Sequence, residues 1–542
     1  MAGEKRKKLR FESWKYPDRE EQARIIVEGM LKMGCPMVSK DGIMSRLKYD
    51  ELGIRMQPMS KDNLLAEIHL KTEYLIQKWE KAVDREGKQI FDQNGKPVQK
   101  LGVIIGDVHR HLLNVIYGMP WPENRLWMTR GVMTHPIINK SGNYVMRNGL
   151  SWREDAVNGV MISMPVINLA DGYDPHSKYF FAVHNRVIDA LKGIEKQKPT
   201  DKEVIEALEC LDEFLCDFKF TTKSAKASAI AFMLTMICRE IIEGNIPMLE
   251  VRAAESQTGK TLLTKMMIIA VTGEPPSLFS PDFKDSSEFG KELLSILMRG
   301  RNYVFMDNVK NTVDNAVLEM AITAGYLEKR LLGGNEVVAV YSGMPFVITG
   351  NNPKMSTDIK NRVYLLDLSK PEDDKQYKHD KPEVYAYENG PKILRALFTL
   401  YYHWDKNAGR KLYTQRRIDG FIEWSTTIGG ILQAAGISDF LDDTIKQIRE
   451  VDPKHIQAAD MAQQWYEAHG NLWLSTKQIF GFAAEAGYVK ADDSPSRKTG
   501  IISNLLRSLR MVKLPGGYRF ERNEDDHRNS SWRVVRDAGS DN

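Results

Sequence analysis

Four short apolar runs organise the middle of the chain: Ile246–Val251, Tyr303–Met306 before Asp307, Pro345–Thr349 before Gly350-Asn351-Asn352, and Val363–Leu368. Runs of this length bounded by turn residues predict strands buried on both faces, as a parallel sheet requires. After the first run, Leu262, Leu263, Met266, Met267 and Ile269 recur at helical spacing and predict a helix behind the turn Ala254–Thr261. Lys329–Val340 reads as two strands about a Gly-Gly-Asn turn.

Toward the N-terminus, helical periodicity predicts helices over Glu20–Met33 and Lys61–Ala82, with a short strand between them. Asp84–Val98 carries turn residues at Glu86-Gly87 and Asn94-Gly95 and reads as a surface hairpin. From Trp127 to Val183 the pattern shortens to alternating runs, which predicts a β-rich segment. Thr200 with Glu203 forms a capping box opening a helix, and Ala225–Glu243 predicts the helix that leads into the first core strand. Near the C-terminus, helices over Ser475–Ala486 and Ser496–Leu509 precede a two-stranded ribbon over Val512–Val535, a winged-helix pattern.

The turn Ala254-Glu255-Ser256-Gln257-Thr258-Gly259-Lys260-Thr261 lies between strand and helix, where a phosphate-binding loop must lie. Successive backbone N–H groups and the positive helix end cradle phosphate oxygens there, the Lys reaches the β- and γ-phosphates, and the hydroxyl binds Mg²⁺. Lys260 and Thr261 fit these roles, with Glu255 to Leu262 lining the nucleotide. Ala254 stands where such loops usually begin with Gly. Asp307, 47 residues beyond Lys260, ends a strand and can share the Mg²⁺ with Thr261. Asn308 can orient a water but cannot accept its proton, and Asn351 lies where a polar amide can hold that water or the γ-phosphate. Arg362, just before the fourth run, can reach a neighbouring subunit's nucleotide as an arginine finger.

Composition adds limits. With 542 residues the chain has room for several domains, and its net charge of +4 says little about partners. Four Cys show no C-x-x-C pair and no His at zinc spacing, so no disulfide framework and no zinc site is expected. No leader and no span-length apolar run is seen, which predicts a soluble cytoplasmic protein without a membrane partner. Asp171 and Asp174 read as turn residues rather than as a primase metal pair. Charge is uneven: Arg497–Arg536 holds ten Lys/Arg against four Asp/Glu, interleaved with Tyr518, Phe520 and Trp532. Arg497, Lys498, Arg507 and Arg519 there, with Lys329 and Arg330 on the hairpin, are the expected DNA contacts.

Taken in order, Gly259-Lys260-Thr261, Phe305-Met306-Asp307-Asn308, Arg330-Leu331-Leu332-Gly333, Thr349-Gly350-Asn351-Asn352 and Asp358-Ile359-Lys360-Asn361-Arg362 resemble the motifs of AAA+ ATPases of the superfamily 3 helicase type. More closely, they are similar to the helicase-like replication proteins of phages and integrated elements. The resemblance is strong over 225–445, where Phe421-Ile422-Glu423-Trp424 and Ile428–Leu432 match the helical segment after the ATPase core, and loose over 100–200 and 455–536. Asn361 departs from the family's first Arg, leaving Arg362 as the finger.

It implies an α/β fold with an AAA+ core sheet in the order 5-1-4-3-2, an α+β N-terminal region and a C-terminal winged helix. The expected divisions are a mainly helical 1–120 with a basic tail, a β-rich then helical 121–222, the ATPase core at 223–370, a helical segment at 371–455 and the DNA-binding unit at 456–542. It also implies ATP and Mg²⁺ as cofactors, a hexameric ring moving on single-stranded or forked DNA, Asn351 in the sensor role, and a separate primase or polymerase as possible partner. An initiator, a helicase loader, a packaging ATPase, or a DNA-binding protein that uses ATP only to assemble stay open as alternatives.

Overall fold

The computed structural model describes residues 8–16, 18–32, 35–41, 43–50, 53–82, 88–89, 91–92, 96–105, 108, 110–118, 127–157, 160–196, 198–255, 257–310, 312–330, 337–351, 353–371, 378–451, 453–490, 492–510, 512, 514, 517–523 and 531–536. Among them no helix is long and apolar enough to cross a membrane.

The four apolar runs become four neighbours in one sheet. A fifth, two-residue strand joins at the edge, giving the spatial order Leu278–Phe279, Val304–Val309, Phe346–Gly350, Met248–Ala253, Val363–Leu368. All pairings are parallel, with Leu249 opposite both Val347 and Tyr364. Such strands bury both faces, and nearly every residue of the three inner ones is buried.

Helices supply the cover. Lys260–Thr272 is buried along most of its length, and Lys223–Cys238 is buried on every side, as its lack of a polar face requires. Pro382–Tyr402 starts on a proline at its first turn and packs backbone to backbone on Lys260–Thr272. A Cβ at Gly390 would sit 2.7 Å from the Ala270 carbonyl oxygen, so only glycine permits this approach. Thr200 and Glu203 bond each other reciprocally at the start of Asp201–Leu215. The helix expected over Ala225–Glu243 starts two residues earlier, where Thr222 caps it, and ends at Cys238 in a 3₁₀ turn.

The region 1–120 departs from the mainly helical expectation. Among the described residues, helices Arg19–Lys32, Lys61–Lys71 and Arg110–Gly118 alternate with six strands. The long helix expected over Lys61–Ala82 stops at Lys71, and Thr72–Lys81 is the middle strand between Leu9–Glu12 and Gln99–Ile105. Its threonine, tyrosine, isoleucine and tryptophan favour a pleated surface, and two partner strands complete the ladder, which outweighs the helical spacing. The hairpin around 84–98 is closed by Asp92 and Lys96, while its Asn94-Gly95 turn lies outside the described residues. The stretch 127–183 is β-rich, with seven strands from Gly131 to Phe181 among its described residues.

At the C-terminus the helix expected from Ser475 begins only at Phe480, because Leu474–Ser475 pairs with Ser531–Trp532 and the Ser475 hydroxyl turns onto Gln478. Helix Pro495–Ser508 packs beside a three-stranded sheet ordered Leu474–Ser475, Ser531–Arg536, Tyr518–Arg522, around the buried Trp465, Phe520 and Trp532.

Candidate nucleotide site

Because every core strand runs the same way, Ala253, Val309 and Gly350 finish on one edge of the sheet. The loop that follows Ala253 bends through left-handed backbone at Gln257 (φ 60°) and Gly259 (φ 83°) before the helix opens at Lys260. Left-handed and helical residues in succession are the backbone pattern of an anion nest. Gly259 suits this φ, and a Cβ there would approach the Phe218 ring at 3.0 Å, tighter than an ordinary contact. Lys260 folds back across the loop, its Nζ donating to the Glu255 carbonyl and to Thr258 Oγ1, both at 3.1 Å. Partial burial holds its pKa below the usual lysine value. Glu255 and Gln257 are exposed, Thr258 is buried, Leu262 is half-buried, and Ser256 lies outside the described residues.

Asp307 is brought to this loop by a bulge. Met306 pairs with Ile348 and Val309 with Gly350, so Asp307 and Asn308 together face Thr349. The extra residue is taken up by Asn308 in left-handed conformation (φ 55°), which asparagine tolerates better than most residues. The Asn308 N–H then donates to Thr349 Oγ1 (3.1 Å), and the Thr349 hydroxyl donates to Asp307 Oδ1 (2.5 Å). Thr261 Oγ1 donates to the same oxygen from the loop helix (2.7 Å). The loop helix and the neighbouring strand thus converge on one carboxylate.

Thr349 has no role in the sequence pattern, where Asn351 is the expected residue. Asn351 is exposed one residue beyond its strand, and its neighbour Asn352 lies outside the described residues. The signal was present in Thr349-Gly350-Asn351-Asn352, since the inward residue at a core strand's last turn is the one that can face a neighbouring strand end.

Arg362 stands at the other edge. It precedes Val363, which pairs with Met248 at the start of the loop strand, and its carbonyl accepts from Met248 N–H at 2.9 Å. Its Nε is buried and has no hydrogen-bond partner among the described residues. Within one chain it is therefore separated from the loop by the length of the strands. Beneath the loop, Arg252 pairs with Asp367 at 3.2 Å, and Glu250 is buried in mid-strand, which pushes its carboxyl up to about 7 despite the nearby Arg252.

The residues fit a nucleotide with Mg²⁺. A hydroxyl and a carboxylate oxygen joined at 2.7 Å are the hard donors that Mg²⁺ takes beside phosphate, and the nest and Lys260 supply positive charge. By contrast Asp171 lies in the one-turn helix Leu169–Gly172, where Asn168 bonds it, and Asp174 ends the strand Tyr173–Asp174, where it accepts from the Ser177 N–H and hydroxyl.

The basic residues lie apart from this edge. Lys329 is half-buried and Arg330 exposed on the hairpin strand Tyr326–Arg330, whose turn at 331–336 lies outside the described residues. Arg497 is exposed but pairs with Asp493 at 3.2 Å, Arg507 bonds Asn504, and Lys498 is half-buried on the same helix. Arg519 and Arg533 share Glu521, whose carboxyl they hold below the usual range.

A mixed α/β chain with a five-stranded all-parallel sheet is compatible with a P-loop core. No family model matches the sequence, and no curated protein does. Among solved structures, the apo C-terminal region of NrS-1 is similar at a TM-score of 0.37 and 11% identity, over 95% of this chain and 99% of that one. SCCmec type IV Cch, described as an active helicase, is similar at a TM-score of 0.30 and 11% identity, over 84% of this chain and 98% of that one. Both likenesses are weak in sequence and in shape.

Proposed function

We propose that the chain is an ATP-dependent DNA helicase or translocase of a phage or mobile-element replication system, working as an oligomeric ring. The observation that carries the proposal is the convergence of Thr261 and Thr349 on Asp307 beside the loop Glu255–Leu262. In this reading the loop binds ATP, Thr261 and Asp307 hold Mg²⁺, and Asn308 and Asn351 place water. An Mg²⁺ ion held by Thr261 and Asp307 would supply neutralisation of the phosphate charge. Lys260 stays cationic and orients the phosphates.

Arg362, at the far edge of its own sheet, acts on the nucleotide of a neighbouring copy. Lys329 and Arg330 grip a phosphate backbone, and the C-terminal unit, a winged helix in this reading, adds Arg497, Lys498, Arg507 and Arg519. A separate primase or polymerase is the expected partner, and the cytoplasm the expected location.

The test is strand displacement on a forked DNA with Mg²⁺ and ATP. Displacement that disappears when Arg362 is changed to Ala, and returns when that variant is mixed with a Lys260→Ala protein, supports a shared site between copies. ATP turnover with DNA binding but no displacement points instead to an initiator, loader or packaging motor. Asn308 favours a further reading, because no carboxylate stands at that position to accept the water's proton. There ATP drives assembly on DNA with negligible turnover, and a mass measurement with ATP separates the two.

A further inference from the structure

A second cluster of ligating side chains lies on the segment that leads into Phe218, whose ring faces Gly259 of the loop. Glu213 and Cys216 are one helical turn apart at the end of Asp201–Leu215, and His379 comes from the approach to Pro382–Tyr402. Their ligand atoms all lie within 4.8 Å of one another. His379 Nε2 is 3.9 Å from Cys216 Sγ and 3.6 Å from Glu213 Oε1. The two separations from His379 exceed the corresponding edges of a tetrahedral site built on ordinary zinc–ligand bonds by only a few tenths of an ångström.

The imidazole is held in place from two sides. Its ring stacks on Tyr385 with centroids 3.6 Å apart and planes 13° from parallel. Its backbone is pinned because Asp217 accepts from the N–H groups of Lys378 (2.8 Å) and His379 (3.1 Å). The Glu213 carboxylate divides its work: Oε2 pairs with Lys378, while Oε1 is the oxygen that faces His379. An imidazole nitrogen fixed this way, with a thiol and a carboxylate oxygen both before it, is a mixed N, S, O donor set of the type that selects zinc-class ions over Mg²⁺.

We propose that Glu213, Cys216 and His379 form a binding site for a zinc-class divalent cation, with Cys216 as thiolate and the fourth position open toward solvent. Binding forms one bond each to S, N and O and releases the thiol proton to solvent. The ion staples the end of Asp201–Leu215 to the start of the helix that packs on the loop helix. Sequence spacing does not reveal the site, since 163 residues separate Cys216 from His379.

The test is a titration of the full chain with Co²⁺, followed by competition with Zn²⁺. A thiolate-to-cobalt absorption that saturates at one equivalent and is displaced by Zn²⁺ is expected. It should vanish in Cys216→Ser and in His379→Ala, persist in Cys210→Ser, and be accompanied by a raised Tm in the parent and Cys210→Ser proteins only. Because Cys216 is exposed, its serine variant leaves the packing intact. Oxygen-only binding at Thr261 and Asp307 gives no thiolate band, so the two sites are separable. Absence of the band, or a band unchanged in Cys216→Ser, overturns the proposal.

Discussion

Replacing Thr349 by Val probes the network that positions Asp307. The side chain is buried and valine fills nearly the same space, so the change removes a hydroxyl with little cavity. Two hydrogen bonds go: the donor to Asp307 at 2.5 Å and the acceptor for the Asn308 N–H at 3.1 Å. A bond to an ionised group contributes about 1.5–3 kcal/mol in general, and partial exposure of Asp307 puts this one at the low end. Asp307 keeps Thr261 but loses the contact that ties it to the neighbouring strand. Removing a group that orients a metal ligand typically weakens metal affinity about 10–100-fold.

The assay is binding of a fluorescent ATP analogue with Mg²⁺ and again with excess EDTA. Affinity with Mg²⁺ should fall by about tenfold or more, while affinity in EDTA stays within about twofold, since the loop and Lys260 are untouched. Equal losses in both conditions, or none in either, would refute the role given to Thr349.

Two further outcomes follow from the strands around the site. Asn308 sits at φ 55°, so Asn308→Gly should preserve stability, whereas Asn308→Val should cost about 1–2 kcal/mol, read from urea midpoints. Glu250 carries a carboxyl raised by burial from 4.5 to about 7, so its contribution to stability is full below pH 4.5 and lost as pH rises through about 7, by up to about 3 kcal/mol. Buried His135, lowered from 6.5 to about 4, has the opposite slope: its contribution is full above pH 6.5 and lost as pH falls toward 4. Urea midpoints of Glu250→Gln should therefore climb between pH 4.5 and 6.5 more steeply than those of the parent, and parallel curves would contradict the assignment.

The core was legible because its information is local. Four of the strands are apolar runs; Asp307 falls near the end of one, and Lys260 and Thr261 open the helix behind the turn that follows another, so chain order alone indicated them. What escaped the sequence depends on pairing between distant segments. The bulge at Asp307 and Asn308 exists only because Val309 pairs with Gly350, and it is what brings Thr349 into the site. Thr72–Lys81 continues a helical spacing that its two partner strands override. Leu474–Ser475 is a strand because Ser531–Trp532 lies beside it. The Glu213, Cys216 and His379 cluster joins a helix end to a segment that no spacing rule connects to it.

If the loop 254–261 with Asp307 binds and hydrolyses ATP, steady-state ATP turnover with Mg²⁺ and single-stranded DNA should separate the parent from Lys260→Ala. Turnover in the parent that falls to background in the variant, with the fold retained by circular dichroism, is the predicted result. A Lys260→Ala protein that hydrolyses ATP at the parental rate would contradict the account.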